Sequence, residues 1–197
     1  MKICMLAPEF PPVWGGVGTY TFELTRHLPK NVEIHIVTPK RESFGMQKMS
    51  LDNKPIESIL KNVHIHYVSV ANGSFIYNAA FQFACFRQVP KIIKDEKIDI
   101  IHSHQAHMPD LLLMLRKLNA NIVTTVHTTI KFQRTATTAS HRNLSELENS
   151  ERATYYLYPF LRVAEELYVK RDRSYITPSF YMAKWLRKNF SILLKIL

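Results

Sequence analysis

Histidines at the ends of apolar runs and one glycine-rich turn are the residues of this sequence best suited to chemistry. The densest group is His102-Ser103-His104-Gln105-Ala106-His107. Its spacing matches H-x-H-x-D-H, a pattern in which imidazoles and a carboxylate converge on a water-activating zinc ion. Ala106 stands where the carboxylate is needed, and Asp110 lies a full turn further on. A metal-dependent hydrolase using His102, His104 and His107 is one reading; hydrogen bonding at a strand end is the other. His127 closes a separate apolar run, Ile122 to Val126, and precedes Thr128-Thr129. A neutral imidazole in such a place donates to, or accepts from, a ligand hydroxyl. His64 and His66 sit two apart on a strand and share one face. No third ligand is near them in the sequence, so they read as a polar strand face and no metal is expected.

Gly15-Gly16-Val17-Gly18 offers a different chemistry. Ile3 to Leu6 forms a short apolar run that reads as a buried strand, and Pro8, Pro11 and Pro12 stiffen the loop after it. Val17, Tyr20, Leu24 and Leu28 then recur at helical spacing and mark the expected inner face of a helix. Backbone N–H groups of a glycine-rich turn can approach an anion, and the helix dipole favours negative charge there. Dinucleotide binding fails on inspection. Read from Gly16, the third glycine of G-x-G-x-x-G would be Thr21, the loop is too long, and Thr38-Pro39 stands where a ribose-binding carboxylate belongs.

The elements that must position these residues alternate. Strands are expected at Val32–Val37 (ended by Thr38-Pro39), Val63–Val70, Ile98–Ile101, Ile122–Val126 and Ser174–Thr177. Between them the pattern predicts a helix over 75–94 divided or kinked at Pro90, and a helix striped by Met108, Leu111, Leu112, Leu115 and Leu118. A long helix is expected within Leu144–Val169, and another opens at Pro178-Ser179 with Met182, Trp185 and Leu186 inward. Residues 40–62 show no period beyond a short helix near Ile56–Leu60. This order predicts an α/β, Rossmann-like, doubly wound parallel sheet with helices on both faces. Ligands of such sheets sit outside the carboxyl ends of the strands, where the glycine turn, His104 and His127 all fall.

Composition narrows the classes further. The chain has 197 residues, 46% apolar and 21% charged, with a formal net charge of +10. That charge admits nucleic acid, an anionic membrane surface or a phosphorylated ligand as partner. The basic residues are dispersed and accompany no nucleic-acid-binding motif, which argues against nucleic acid. No segment reaches the roughly 18–20 apolar residues of a membrane span. Cys4 and Cys85 read as small buried hydrophobes, which with the interrupted N-terminal apolar run predicts a cytoplasmic protein with at most peripheral membrane contact.

Four stretches together resemble the N-terminal half of a retaining glycosyltransferase of family 4, the glycogen-synthase-like group. PEFPPVWGGVGTYTFELTRHL is similar to the family's opening loop and helix, and DIIHSHQAH to its fourth-strand signature. IVTTVHTT resembles its fifth-strand histidine segment and YITPSFYMAKWL its final strand-and-serine segment. The resemblance implies a GT-B architecture of two Rossmann-like domains facing across a cleft. It implies that Gly15, Gly16 and Val17 border the donor diphosphate, that Gly18 begins the helix, and that no cofactor or metal is required. His127 is then the catalytic residue supporting the developing sugar cation, with His104, Thr128 and Ser179 lining the cleft. The donor would be a UDP-, ADP- or GDP-sugar, and the acceptor a sugar, lipid or small molecule met by loops 40–60 and 128–143. Residues 1–189 would form this domain and 190–197 the start of a linker. The second, nucleotide-binding domain is absent from the sequence, which predicts an inactive half or a binding module derived from such an enzyme.

Overall fold

The computed structural model describes residues 1–11, 15–41, 60, 62–71, 74–104, 108–140, 143, 145–147, 149–169 and 173–190. Six strands form one sheet: β1 (Lys2–Leu6), β2 (Glu33–Arg41), β3 (Val63–Ala71), β4 (Ile100–His104), β5 (Asn121–Thr125) and β6 (Ser174–Ile176). Their order is β3-β2-β1-β4-β5-β6 and every pairing is parallel. This is the doubly wound α/β arrangement expected from the alternating pattern, with its topological switch point between β1 and β4.

Side chains alternate across the pleat and load both faces. Ile3, Met5, Ile34 and Ile36 pack with Phe22 of α1 (Gly16–His27). Cys4, Leu6, Val37, Val68 and Ile101 pack with Phe81, Cys85 and Val89 of α2 (Ser74–Glu96). Both cysteines are fully buried, and burial pushes the Cys4 thiol up to about 12 and Cys85 well above its ordinary value. A third cluster joins Val126, Tyr168, Met182 and Leu186, using α5 (Tyr158–Val169) and α6 (Phe180–Phe190).

Several elements depart from the sequence pattern for identifiable reasons. β2 does not stop at Thr38-Pro39; it continues to Arg41 and absorbs the proline in a register shift between those two residues. β4 runs through His104, so both histidines lie inside the strand. α1 buries Gly18, Thr21, Phe22 and Thr25, whereas Tyr20 is only half-buried. Pro90 does not divide α2, a single helix of 23 residues. After β4, only a short 3-10 turn, Leu113–Leu115, stands in place of the expected helix. Met108 there has a left-handed φ of 41°, and the buried Asp110 carboxylate is held by tertiary partners. The long helix divides at Leu157 into α4 (Asn149–Tyr156) and α5, where Pro159 lacks the N–H an uninterrupted helix would use. One helix was not legible at all: α3 (Ile130–Ala139) occupies most of the expected 128–143 loop. The expected helix near Ile56, His107, and the tail after Phe190 lie outside the described residues, as does most of loop 40–60.

Candidate functional site

Two loops and a helix converge at the carboxyl ends of β1, β4 and β5. α1 begins at Gly16, two residues earlier than Gly18, which is buried within the first turn. Gly15 is the N-cap in extended conformation, and no side chain caps the helix from that position. Its N–H donates to the Glu9 carboxylate at 3.2 Å, and a Cβ at Gly15 would stand 2.8 Å from that oxygen. A Cβ at Gly16 would meet no atom of the described residues within 4 Å. Gly16 therefore presents open backbone at the positive end of a helix whose first turn contains no acidic residue.

One turn further along α1, Tyr20 and Thr21 reach the histidines. His104 is completely buried and lies between Thr21 and His127: its Nε2 is 3.2 Å from Thr21 Oγ1, and its Nδ1 is 3.1 Å from His127 Nε2. The network assigns the protons. The Thr21 hydroxyl donates its one hydrogen to the Val17 carbonyl at 2.9 Å, so it accepts from His104 Nε2–H. His104 Nδ1 and His127 Nε2 share the hydrogen bond between the two rings. The Tyr20 ring meets His127 edge-on with centroids 4.7 Å apart, which fixes the plane of the imidazole.

His102 lies below this pair, its Nε2 2.8 Å from Thr125 Oγ1 and its ring centroid 4.9 Å from that of His104. Burial, with a smaller contribution from His127, lowers its pKa to about 4. The segment bearing His127 is held from both sides. Val126 N–H donates to Ile176 O of β6. Beyond it, Thr129 caps α3 by accepting from Phe132 N–H, and Glu165 of α5 accepts the Ile130 N–H at 2.8 Å.

The structure therefore brings together His104, His127 and the first turns of α1, sets the candidate His102 and the helix residue Tyr20 beside them, and adds Thr21. Thr21 carried a usable signal, since a polar residue on the buried face of an amphipathic helix needs a partner. Thr128 is half-buried beside His127. Ser179 is exposed, and its hydroxyl accepts from Met182 N–H in the manner of a cap for α6. His102 and His104 direct ring nitrogens at hydroxyls and at another imidazole. Among the described residues, the side chains that converge as metal ligands lie elsewhere.

The fold aligns with half of each of several solved plant glycosyltransferases. UGT2 of Phytolacca americana, complexed with UDP-2fluoro-glucose and pterostilbene, aligns over 95% of this chain and 50% of its own, with 9% identity and a TM-score of 0.56. Its apo form gives 94%, 48%, 10% and 0.58. A UGT transferase from Siraitia grosvenorii in complex with UDP gives 96%, 47%, 9% and 0.53. At such identities the likeness concerns the fold, and the chain spans about half the length of these proteins. Comparison with curated proteins found no match. The Glycosyltransferase Family 4 sequence profile matches residues 14–193, and the chain belongs to that family.

Proposed function

We propose that this domain is the acceptor-side half of a glycosyltransferase that moves a sugar from a nucleotide-sugar donor to an acceptor with retention of configuration. The observation that carries the reading is the junction of His127 with α1: the imidazole from the β5 end is fixed, through His104 and Thr21, beside the open helix N-terminus at Gly16. Because Glu9 already accepts the Gly15 N–H, the donor diphosphate would meet the N–H groups of Gly16 and Val17. His127 would stand at the sugar, with buried His104 and His102 behind it, and burial lowers the His102 pKa to about 4, which leaves that ring uncharged at neutral pH. Retention rests on the family 4 motifs, and the need for a second, nucleotide-binding domain rests on the half-length alignment to its fold neighbours.

The test is a transfer assay with UDP-, ADP- and GDP-glucose, on this chain alone and with a candidate second domain added. Transfer is expected only with the second domain, and His127→Ala should lower it by about 10²–10³-fold, the usual effect of losing one positioned polar group. Donor binding without turnover under all conditions would favour a binding module. Turnover that survives His127→Ala would overturn the assignment.

A further inference from the structure

A second histidine cluster sits near the amino ends of β2 and β3, on the sheet face that α2 covers. Parallel pairing sets His35 beside His64, and Glu33 and His66 follow on the same face. One carboxylate oxygen, Glu33 Oε1, lies 3.1 Å from His35 Nε2 and 3.4 Å from His64 Nε2. The donor atoms of all three residues fall within 4.8 Å of one another. Ligand atoms at about 2.0–2.2 Å around a tetrahedral zinc are separated by roughly 3.3–3.6 Å, so the 3.4 Å spacing matches one edge of such a site and the 3.1 Å spacing is within a few tenths of an ångström of a second.

We propose that Glu33, His35 and His64 form a binding site for one divalent zinc-like cation, with His66 as the positioning residue that orients His35. His35 Nδ1 lies 3.0 Å from His66 Nε2, which leaves the other nitrogen, Nε2, aimed at Glu33 and His64. An imidazole ligand whose second nitrogen is hydrogen-bonded has its tautomer and ring plane fixed. The His64 ring stacks beside His35 with centroids 4.8 Å apart, and His66 lies edge to edge with His35, its ring inclined by 17° and its centroid 5.3 Å away. Lys2 Nζ lies 2.9 Å from Glu33 Oε1 and is the cation that the metal would displace. A cavity of about 370 Å³ lined by Lys30, Asn31, Glu33, Asn62 and His64 leaves the fourth coordination position open to water or a ligand. The two-histidine, one-carboxylate set suits a borderline-soft ion such as zinc better than calcium or magnesium.

This site lies at the other end of the strands from His127 and does not depend on the proposed transfer function. The experiment titrates the full chain with zinc by calorimetry at neutral pH and with cobalt by visible absorption. One ion per chain is expected, with the intense cobalt bands of four-coordination. His64→Ala, at an exposed position that folding tolerates, should abolish saturable binding. His66→Ala should weaken it by about 10–100-fold. Lys2→Ala should tighten it, a change that a purely structural polar cluster would not produce. Absence of saturable binding in the unmodified chain, or an affinity in His64→Ala or Glu33→Gln equal to that of the unmodified chain, would overturn the proposal. Loss of binding in His127→Ala with retention in His64→Ala would move the ion to the other cluster and overturn it equally.

Discussion

The two flanks of the sheet, on either side of β1, handle polar side chains differently. On the β4–β5 flank, His102, His104, Ser103, Asp110 and Thr124 are buried among hydroxyls, rings and one guanidinium. On the β2–β3 flank, Glu33 and His64 remain solvent-accessible around the buried His35. The first arrangement fixes tautomers and hydrogen-bond directions before any ligand arrives. The second gathers one carboxylate and two ring nitrogens within 4.8 Å of one another, with His35 Nε2–H donating to Glu33 until a cation takes its place. Residue type alone does not distinguish them, since both are pairs of histidines two apart on a strand; what differs is the neighbouring strand. β5 offers Thr125 to His102, whereas β2 offers Glu33 and His35 to His64.

The largest effect should come from the buried flank. Arg173 Nη1 lies 3.0 Å from Asp110 Oδ2 and 2.9 Å from Thr124 Oγ1, with side-chain exposures of 1% and 0% for the ion pair. Asp110 Oδ1 also accepts from Ser103 and Tyr168, and the guanidinium lies 4.3 Å from the Tyr168 ring. Arg173→Met should cost about 3–5 kcal/mol in urea denaturation, because it strands a buried carboxylate. The double variant Asp110→Leu/Arg173→Met should cost clearly less than the two single losses combined. An Arg173→Met loss below about 1 kcal/mol would show this flank to be as forgiving as the other.

The next effect is read from pH. His102 titrates near its ordinary value of 6.5 when unfolded and at about 4 in the fold. Above 6.5 neither state is protonated. As pH falls from 6.5 toward 4, only the unfolded chain gains the proton, so stability declines at up to about 1.4 kcal/mol per unit, roughly 3 kcal/mol in all. Denaturant midpoints at pH 7 and pH 5 should show the decline, and His102→Gln should flatten it. His66→Gln should flatten it less, its downward shift being opposed by Glu96. The reverse order would break the contrast between the flanks.

Much of this was legible in the sequence. β-branched runs separated by helical periods are enough to predict a parallel doubly wound sheet, and Gly16, His104 and His127 lie at its carboxyl strand ends, the side on which ligands of such sheets generally bind. Local pattern could not supply partners from elsewhere in the chain. Nothing around His64 announces Glu33 and His35, because they arrive by strand pairing across an interval of about thirty residues. Nothing at Ile130–Ala139 predicts a helix rich in threonine, whose Thr135, Thr137 and Thr138 hydroxyls bond back to carbonyls one turn earlier. That helix is fixed by Thr129 and by Glu165, a residue on α5. Pro39 and Pro90 misled for the opposite reason: a strand shift and a long packed helix accommodate them.

The smallest stability effect carries the sharpest test of the proposed donor site. Gly15 and Gly16 are adjacent, yet they answer to different constraints. A methyl at Gly15 crowds Glu9 and puts alanine at an N-cap, where it ranks well below glycine, so Gly15→Ala should cost about 0.5–1 kcal/mol by thermal denaturation. A methyl at Gly16 meets none of the described residues in the first helical turn, where alanine is favoured over glycine, so Gly16→Ala should leave stability unchanged or raise it by up to about 1 kcal/mol. If the open backbone there is where a diphosphate approaches, that same methyl occupies the approach, and donor binding should fall while the fold is no weaker. Stability and binding moving in opposite directions is the signature of a glycine kept for its ligand. If Gly16→Ala binds donor as the unmodified chain does, the opening at α1 is only a turn, and the anion must be held by other groups.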